Sequence, residues 1–134
     1  MKKIRLIIIS AFILSSSNFA KADLNNSLKK YLDEKDLDKA STQIYLLKRC
    51  SAVYAYASGI VLKSDAVSSK NFIEVSNNLL FKSVELMVID ENKKLEEAQT
   101  EAEENRKELF SNYIADGKKN WEKNKSHFKG SYIS

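Results

Sequence analysis

The chain has 134 residues, with 22 basic and 18 acidic side chains, one cysteine, three glycines and no proline. This length suits a single domain. A lone cysteine excludes a framework of intramolecular disulfides. Because strands need turns and turns rely on glycine and proline, the composition argues against a sheet and predicts an all-α fold.

Residues 1–22 have the pattern of a secretory signal peptide. A charged start, an apolar core and a small-x-small cleavage site follow one another: Lys2, Lys3 and Arg5, then residues 6–14, then Ala20, Lys21 and Ala22. The apolar core is far shorter than the roughly 20 residues that a membrane-spanning helix needs. We therefore expect cleavage, no transmembrane span afterwards, and a mature chain of residues 23–134 that is periplasmic or secreted.

The signal segment also carries the excess of positive charge. Four of the 22 basic residues lie within residues 1–22, and the remaining 18 equal the number of acidic residues. The mature chain is formally neutral, so its charge gives no reason to expect a nucleic-acid partner.

Two helices are predicted in the first half of the mature chain, over residues 25–33 and about 38–62. The second has an apolar stripe at spacings of three and four, which predicts a seam for a partner helix. The stripe consists of Ile44, Leu47, Cys50, Tyr54, Ala57 and Val61. Ala55, Ser58 and Gly59 are small enough to let another backbone approach this helix closely.

A third helix is predicted to begin near Ser68 or Ser69, either of which could serve as its N-cap. No glycine or proline interrupts residues 68–116. One helix of that length would far exceed the usual mean of about 11–12 residues. Since residues 100–103, Thr-Glu-Ala-Glu, have the form of a capping box, we expect a kink or break near Gln99 and Thr100.

The last segment carries apolar residues at helical intervals, with an interruption expected at Asp116 and Gly117. These residues are Leu109, Phe110, Tyr113, Ile114, Trp121 and Phe128. Residues 130–134 are expected to fray. Together the elements predict a small antiparallel bundle of three to four helices, one of them long and charged, forming a single domain over residues 23–134.

The sequence offers no catalytic set. It has one histidine, His127, one cysteine and no metal-ligand spacing, so neither a metal nor a cofactor is expected. Two Ser-x-x-Lys matches, at Ser27 and Ser126, are what a chain rich in serine and lysine produces by chance. Cys50 is interpreted as a small buried residue, and an intermolecular disulfide is the alternative.

One basic segment rich in aromatic residues has a pattern that suits binding. Its candidate residues are Lys118, Lys119, Trp121, Lys123, Lys125, Phe128 and Lys129. They could meet an anionic envelope surface, because ring burial and charge attraction combine there. In the alternative interpretation Trp121 packs into the bundle and the lysines point outward.

The leading hypothesis is a non-enzymatic exported protein that binds a protein partner or itself. It would use apolar faces of the second helix and of the aromatic C-terminal helix. One alternative is association with an envelope or membrane surface through the basic segment. A second alternative is a small-molecule carrier whose cavity is walled by Tyr45, Cys50, Tyr54 and Tyr56.

Overall fold

The computed structural model describes residues 24–130 and 132–133, so the predicted signal peptide lies outside the described residues. The described residues form four helices and no strand. The helices are α1 (Leu28–Glu34), α2 (Ala40–Val61), α3 (Ala66–Asp90) and α4 (Leu95–Asn124). They pack as a small helical bundle in which α4 is long and charged, which confirms the predicted fold class.

Two layers of buried serines join α2 to α3 in an antiparallel pair. Ser51 and Ser76 each donate to the other's backbone carbonyl at 2.7 Å. Ser58 and Ser69 do the same at 2.8 and 3.0 Å. The pairs are seven residues apart on both helices, so they share one face of each. Their small side chains let the two backbones approach closely without leaving a polar group unpaired.

The buried apolar residues form two clusters, one at each end of α4. The first joins α2 and the second half of α4 to the segments that flank the helices, and consists of Leu24, Tyr31, Tyr45, Ala52, Tyr56, Leu109 and Tyr113. The second joins the end of α3 to the start of α4, and consists of Ile44, Leu80, Val84, Met87, Ala98 and Ala102. The apolar packing of α4 against α3 is therefore concentrated in the first turns of α4.

The N-cap of α3 is Asp65 rather than either predicted serine. The Asp65 carboxylate accepts from the backbone N–H of Ser68 at 2.9 Å and from its hydroxyl at 2.6 Å. An aspartate can therefore cap the helix three residues earlier. Ser69 is one turn inside the helix, where it bonds to Ser58.

The predicted break exists, but the prediction of its position near Thr100 is wrong. The chain leaves the helical path between Asp90 and Leu95, where Asn92 adopts a left-handed conformation with φ 52°. Asparagine is one of the few residues that tolerate this region. Thr100 lies inside α4, because Ala98 and Ala102 are both buried on one continuous helix face.

The expected interruption at Asp116 and Gly117 is absent, since α4 runs through both residues. Gly117 serves close packing instead: a Cβ there would lie 1.7 Å from the hydroxyl of Tyr56. The predicted fraying is also wrong for Tyr132 and Ile133, which pack against the first cluster. The Tyr132 hydroxyl donates to the carbonyl of Leu24 at 2.6 Å.

Candidate binding site

An apolar groove opens where α4 separates from the first half of α3. We call it the interhelical groove and define it by Ala55 and Gly59 of α2, Ile73 of α3, and Phe110 and Ile114 of α4. Ala55, Ile73 and Phe110 line a cavity of about 450 Å³. Gly59 and Ile114 lie one helical turn beyond Ala55 and Phe110 on the same helix faces.

The groove exists because α4 changes neighbours along its length. Ala98 and Ala102 pack against the end of α3. Further along, Arg106 still reaches α3 and donates to Asn77 at 2.9 Å. Beyond that point Leu109 and Tyr113 pack in the first cluster. The space that the departing helix leaves is the interhelical groove.

The floor of the groove is made of small residues. Gly59 is exposed, and a Cβ built on it would meet nothing within 4 Å. Ile73 and Ile114 on the walls are 40% and 47% exposed. Of the three small residues expected to allow close approach, Ser58 is used inside the bundle by Ser69. Ala55 lines the open cavity, and Gly59 lies one helical turn further along α2 with no atom within 4 Å of a Cβ built on it.

Charges of both signs stand at one end of the groove. The same cavity is lined by Glu103, Glu104, Arg106 and Lys107. Arg106 donates to Glu103 at 2.8 Å, and Glu103 remains largely exposed. An apolar centre with a solvated polar rim is the usual anatomy of a protein-binding surface.

The basic aromatic segment lies at the far end of α4 and in the turn that follows. All five lysines predicted as binding residues are exposed: Lys118, Lys119, Lys123, Lys125 and Lys129. Trp121 and Phe128 are 47% and 42% exposed, so neither ring is fully packed nor fully free. Trp121 lies seven residues after Ile114, which continues the apolar face of the interhelical groove toward these lysines.

His127 anchors the turn of this segment rather than lying exposed on a helix. Its Nδ1 is 3.1 Å from the hydroxyl of Tyr56, and its ring stacks on Trp121 with centroids 4.8 Å apart. Phe128 meets the Tyr56 ring edge-on at 5.8 Å. One side of the Trp121 ring is therefore covered by His127, and one side of the Phe128 ring is covered by Tyr56.

Cys50 is exposed, so its interpretation as a buried residue is wrong. The neighbouring positions Arg49 and Ser51 take the inward faces of α2 and leave Cys50 on the outer face. Nearby atoms still desolvate the sulfur, which raises the pKa of the Cys50 thiol. The intermolecular disulfide therefore stays a prediction.

The predicted seam on α2 is divided between two surfaces. Ile44 is buried in the second cluster, whereas Tyr54 is exposed and packs at its edge against Phe72, with ring centroids 5.9 Å apart. Tyr45 and Tyr56 are buried in the first cluster. The four residues suggested as the wall of a carrier cavity, Tyr45, Cys50, Tyr54 and Tyr56, therefore do not surround one space.

Sequence reasoning missed the role of Arg49, which is 1% exposed. Its guanidinium donates to the hydroxyls of Tyr45 at 2.7 Å and Tyr113 at 3.0 Å. It also donates to the carbonyls of Asn26 and Tyr132, from the two ends of the described chain. Burial raises the pKa of Tyr45 and of Tyr113 to about 12, so both phenols stay neutral acceptors.

The detectable signal for this role was the spacing of Tyr45 and Arg49, which places them one helical turn apart. The other partners come from distant segments and could not be assigned from spacing. We interpret the role of Arg49 as structural, because its N–H groups bond to several segments of the protein and not to solvent.

No helix among residues 24–130 has both the length and the apolar character to cross a bilayer. In the same part of the chain no three histidine, cysteine or acidic side chains are grouped to hold a metal ion. Compared with known protein families, curated proteins and solved structures, the chain matches none. The site must therefore be interpreted from its own geometry.

Proposed function

We propose that this chain is an exported, non-enzymatic protein that binds an amphipathic helix of a partner protein in the interhelical groove. The observation that carries the proposal is the open groove itself, which is lined by Ala55, Ile73 and Phe110. The exposed residues Gly59 and Ile114 lie one helical turn further along α2 and α4. A helix that lays its apolar face into such a groove buries these side chains, and this burial supplies the driving force.

The export half of the proposal depends on residues 1–22. Their charged start, short apolar core and cleavage pattern are those of a signal peptide. The described part of the chain is consistent with a working protein that begins after this segment, since Leu24 is already packed in the first cluster.

Photo-cross-linking in the producing cell tests the groove. A photoreactive residue at Ile114 should give a covalent adduct with one partner protein, whereas the same residue at Phe81, which is 69% exposed on α3, should not. Gly59→Trp adds a ring at an exposed position where a Cβ would meet nothing within 4 Å, so it should block the groove, abolish the adduct and leave the helical circular dichroism unchanged.

A matched control is Val67→Trp, which adds the same ring at a position on α3 that is 72% exposed. It should keep the Ile114 adduct. The proposal fails if the adduct survives Gly59→Trp, or if positions inside and outside the groove give the same products.

A second candidate function is attachment to an anionic membrane surface. It is favoured by five exposed lysines beside two aromatic rings that are each more than 40% exposed. Interfacial rings and lysines together bind anionic lipid, and the electrostatic part weakens as salt rises.

Sedimentation with vesicles distinguishes this second candidate from the first. The protein should co-sediment with phosphatidylglycerol vesicles, and it should not co-sediment with phosphatidylcholine vesicles. A variant with the five lysines changed to glutamine should stay in the supernatant. Unchanged sedimentation of that variant would reject the membrane proposal and leave the groove proposal intact.

A further inference from the structure

A second cavity, separate from the interhelical groove, borders a different face of the first half of α4, at Glu101 and Asn105. It has a volume of about 610 Å³ and is enclosed by α1, the start of α2, the turn between α3 and α4, and the first half of α4. This volume lies within the range of about 300–1,000 Å³ that is usual for small-molecule sites. We call it the Lys48 cavity after its most deeply buried charged residue.

The Lys48 ammonium lies on the floor of the cavity, and the residue is 5% exposed. Its Nζ donates to Asn105 Oδ1 at 2.8 Å and lies 3.5 Å from Glu101 Oε1. Burial lowers the pKa of Lys48, and the nearby Glu101 carboxylate only partly offsets that effect. A lysine placed in this way can offer a hydrogen bond to a ligand with little competing water.

Three further charges, whose side chains are 30% to 36% exposed, extend this floor toward solvent. Glu101 accepts from Lys93 at 2.5 Å through its second oxygen, and Lys93 Nζ lies 3.1 Å from Glu91. Desolvation raises the pKa of Glu101, but its bonds to Lys93 and Lys48 outweigh this effect and lower it overall. The floor therefore presents two ammonium groups and two carboxylates in alternation.

The rim repeats this balance of charge. It carries two acidic and two basic residues from α1 and the turn after it: Glu34, Lys35, Asp36 and Lys39. The remaining wall includes Ile44 and the stacked rings of Tyr31 and Tyr45, whose centroids are 3.9 Å apart. The cavity is thus lined by equal numbers of positive and negative groups beside one apolar wall.

Stability alone gives a poor reason for this arrangement. Lys48 is deeply buried and loses hydration, which offsets its attraction to Glu101. The ion pairs of Lys93 are still reached by water, and such pairs contribute little to stability. A ligand with one sign of charge would meet as many repulsive as attractive groups. A ligand with both signs can direct each toward its opposite, through short charge-assisted hydrogen bonds.

We propose that the Lys48 cavity binds a small zwitterion that carries a primary ammonium and a carboxylate, such as a free amino acid or a dipeptide. The ligand carboxylate lies toward Lys48 and Lys93, and its ammonium lies toward Glu101 and Glu91. Its side chain rests against Ile44 and the two tyrosines. This inference does not depend on the interhelical groove.

Isothermal titration calorimetry on protein purified after expression of the full-length chain tests the proposal. The probes are free amino acids and dipeptides, each with its N-acetyl derivative, which lacks the ammonium, and its C-terminal amide, which lacks the carboxylate. At least one zwitterion should bind saturably. Both of its derivatives should bind about tenfold more weakly or worse, since each loses a charge-assisted bond.

Substitutions locate the site. Lys48→Met and Glu101→Gln should each weaken binding about tenfold. Glu103→Gln is the matched control, because Glu103 lies on the same helix and pairs with Arg106 outside this cavity. It should leave the affinity unchanged. Should Lys48→Met fail to fold, Lys93→Met tests the same carboxylate contact at a less buried position.

Three results would each overturn the proposal. The first is the absence of saturable heat from every zwitterion in the panel. The second is equal binding of a zwitterion and its two derivatives. The third is an affinity that survives both Glu101→Gln and Lys93→Met.

Discussion

Gly117 of α4 and Tyr56 of α2 occupy one shared space, since a Cβ at position 117 would lie 1.7 Å from the tyrosine hydroxyl and 2.6 Å from the ring carbon that bears it. The ring cannot move aside freely. It contacts Phe110, Tyr113, His127 and Phe128 on its other sides. This contact fixes how closely α4 can approach α2.

Alanine substitutions at two helical glycines should therefore have opposite effects. Gly117→Ala should destabilise the protein by about 1–3 kcal/mol, the usual cost of overpacking. Gly59→Ala should stabilise it by about 0.5–1 kcal/mol, because alanine has the higher helix propensity and nothing lies within 4 Å of its Cβ. Urea denaturation of both variants measures the free energy of unfolding.

The double variant Gly117→Ala with Tyr56→Leu separates steric conflict from loss of flexibility. The double variant should lose less free energy of unfolding than the sum of the two single losses, because Tyr56→Leu removes the hydroxyl that a Cβ at position 117 would meet. Equal shifts for Gly59→Ala and Gly117→Ala would contradict the close contact.

The serine layers predict that a larger residue at position 51 separates α2 from α3. Ser51 is fully buried and bonded to Ser76. Ser51→Leu should destabilise the protein by about 1–3 kcal/mol. Ser111→Leu, an exposed change on α4, is the control and should stay within about 0.5 kcal/mol of the parent. Thermal unfolding at several protein concentrations would measure both effects.

Replacement of Arg49 should be among the most destabilising changes. Arg49→Met removes the donor shared by two phenols and two carbonyls, and each buried group left unpaired costs about 1–3 kcal/mol. We expect a loss of at least about 3 kcal/mol and a fall in near-ultraviolet circular dichroism from the surrounding tyrosines. A loss below 1 kcal/mol would show that the cluster does not depend on this side chain.

The same cluster predicts a loss of stability at high pH. Burial raises the pKa of Tyr45 and of Tyr113 in the folded state to about 12, above the ordinary tyrosine value of 10.0. The folded state thus favours neutral phenols, and its stability is complete below pH 10 and declines as the pH rises toward 12. Urea titrations across this window should show the decline. Tyr45→Phe should make this decline with pH shallower. A free energy of unfolding that does not change between pH 10 and 12 in the parent would argue against buried phenols.

The exposed position of Cys50 predicts that its thiol reacts in the folded protein. A maleimide should modify it without denaturant, and more slowly at neutral pH than a free thiol, because its pKa is raised. The predicted disulfide dimer should appear on non-reducing gels of protein kept under oxidising conditions and vanish in Cys50→Ser. A thiol that reacts only after unfolding would contradict the exposed position.

Helix type and order could be predicted because the apolar spacing is regular and glycine is scarce. The residues at which the helices begin and end were harder to predict. Asp65 caps α3 ahead of two serines, and Asn92 ends it in a left-handed conformation, which a search for glycine or a capping box does not detect. Propensity fixes the kind of element, whereas the packing of Ala98 and Ala102 decides that α4 continues through Thr100.

The candidate site was predicted only in part. The pair of surfaces on the second and last helices was expected, and Ala55, Gly59, Ile114 and Trp121 lie there. The role of Arg49 and the cavity at Lys48 were missed. Apart from Tyr45, which is one helical turn from Arg49, their partners lie 53 to 83 residues away in the chain or in a short flanking segment, and periodicity carries no information about such pairs.

The two ends of the described chain meet on one side of the bundle. The N–H of Leu28 lies 3.4 Å from the carbonyl of Tyr132, and Arg49 binds carbonyls from both segments. A circular permutant that joins residue 133 to residue 24 through a short linker and opens between α3 and α4 would keep this junction intact. A bulky fusion at the carboxyl terminus would instead disturb the packing of residues 24–28 against Tyr132.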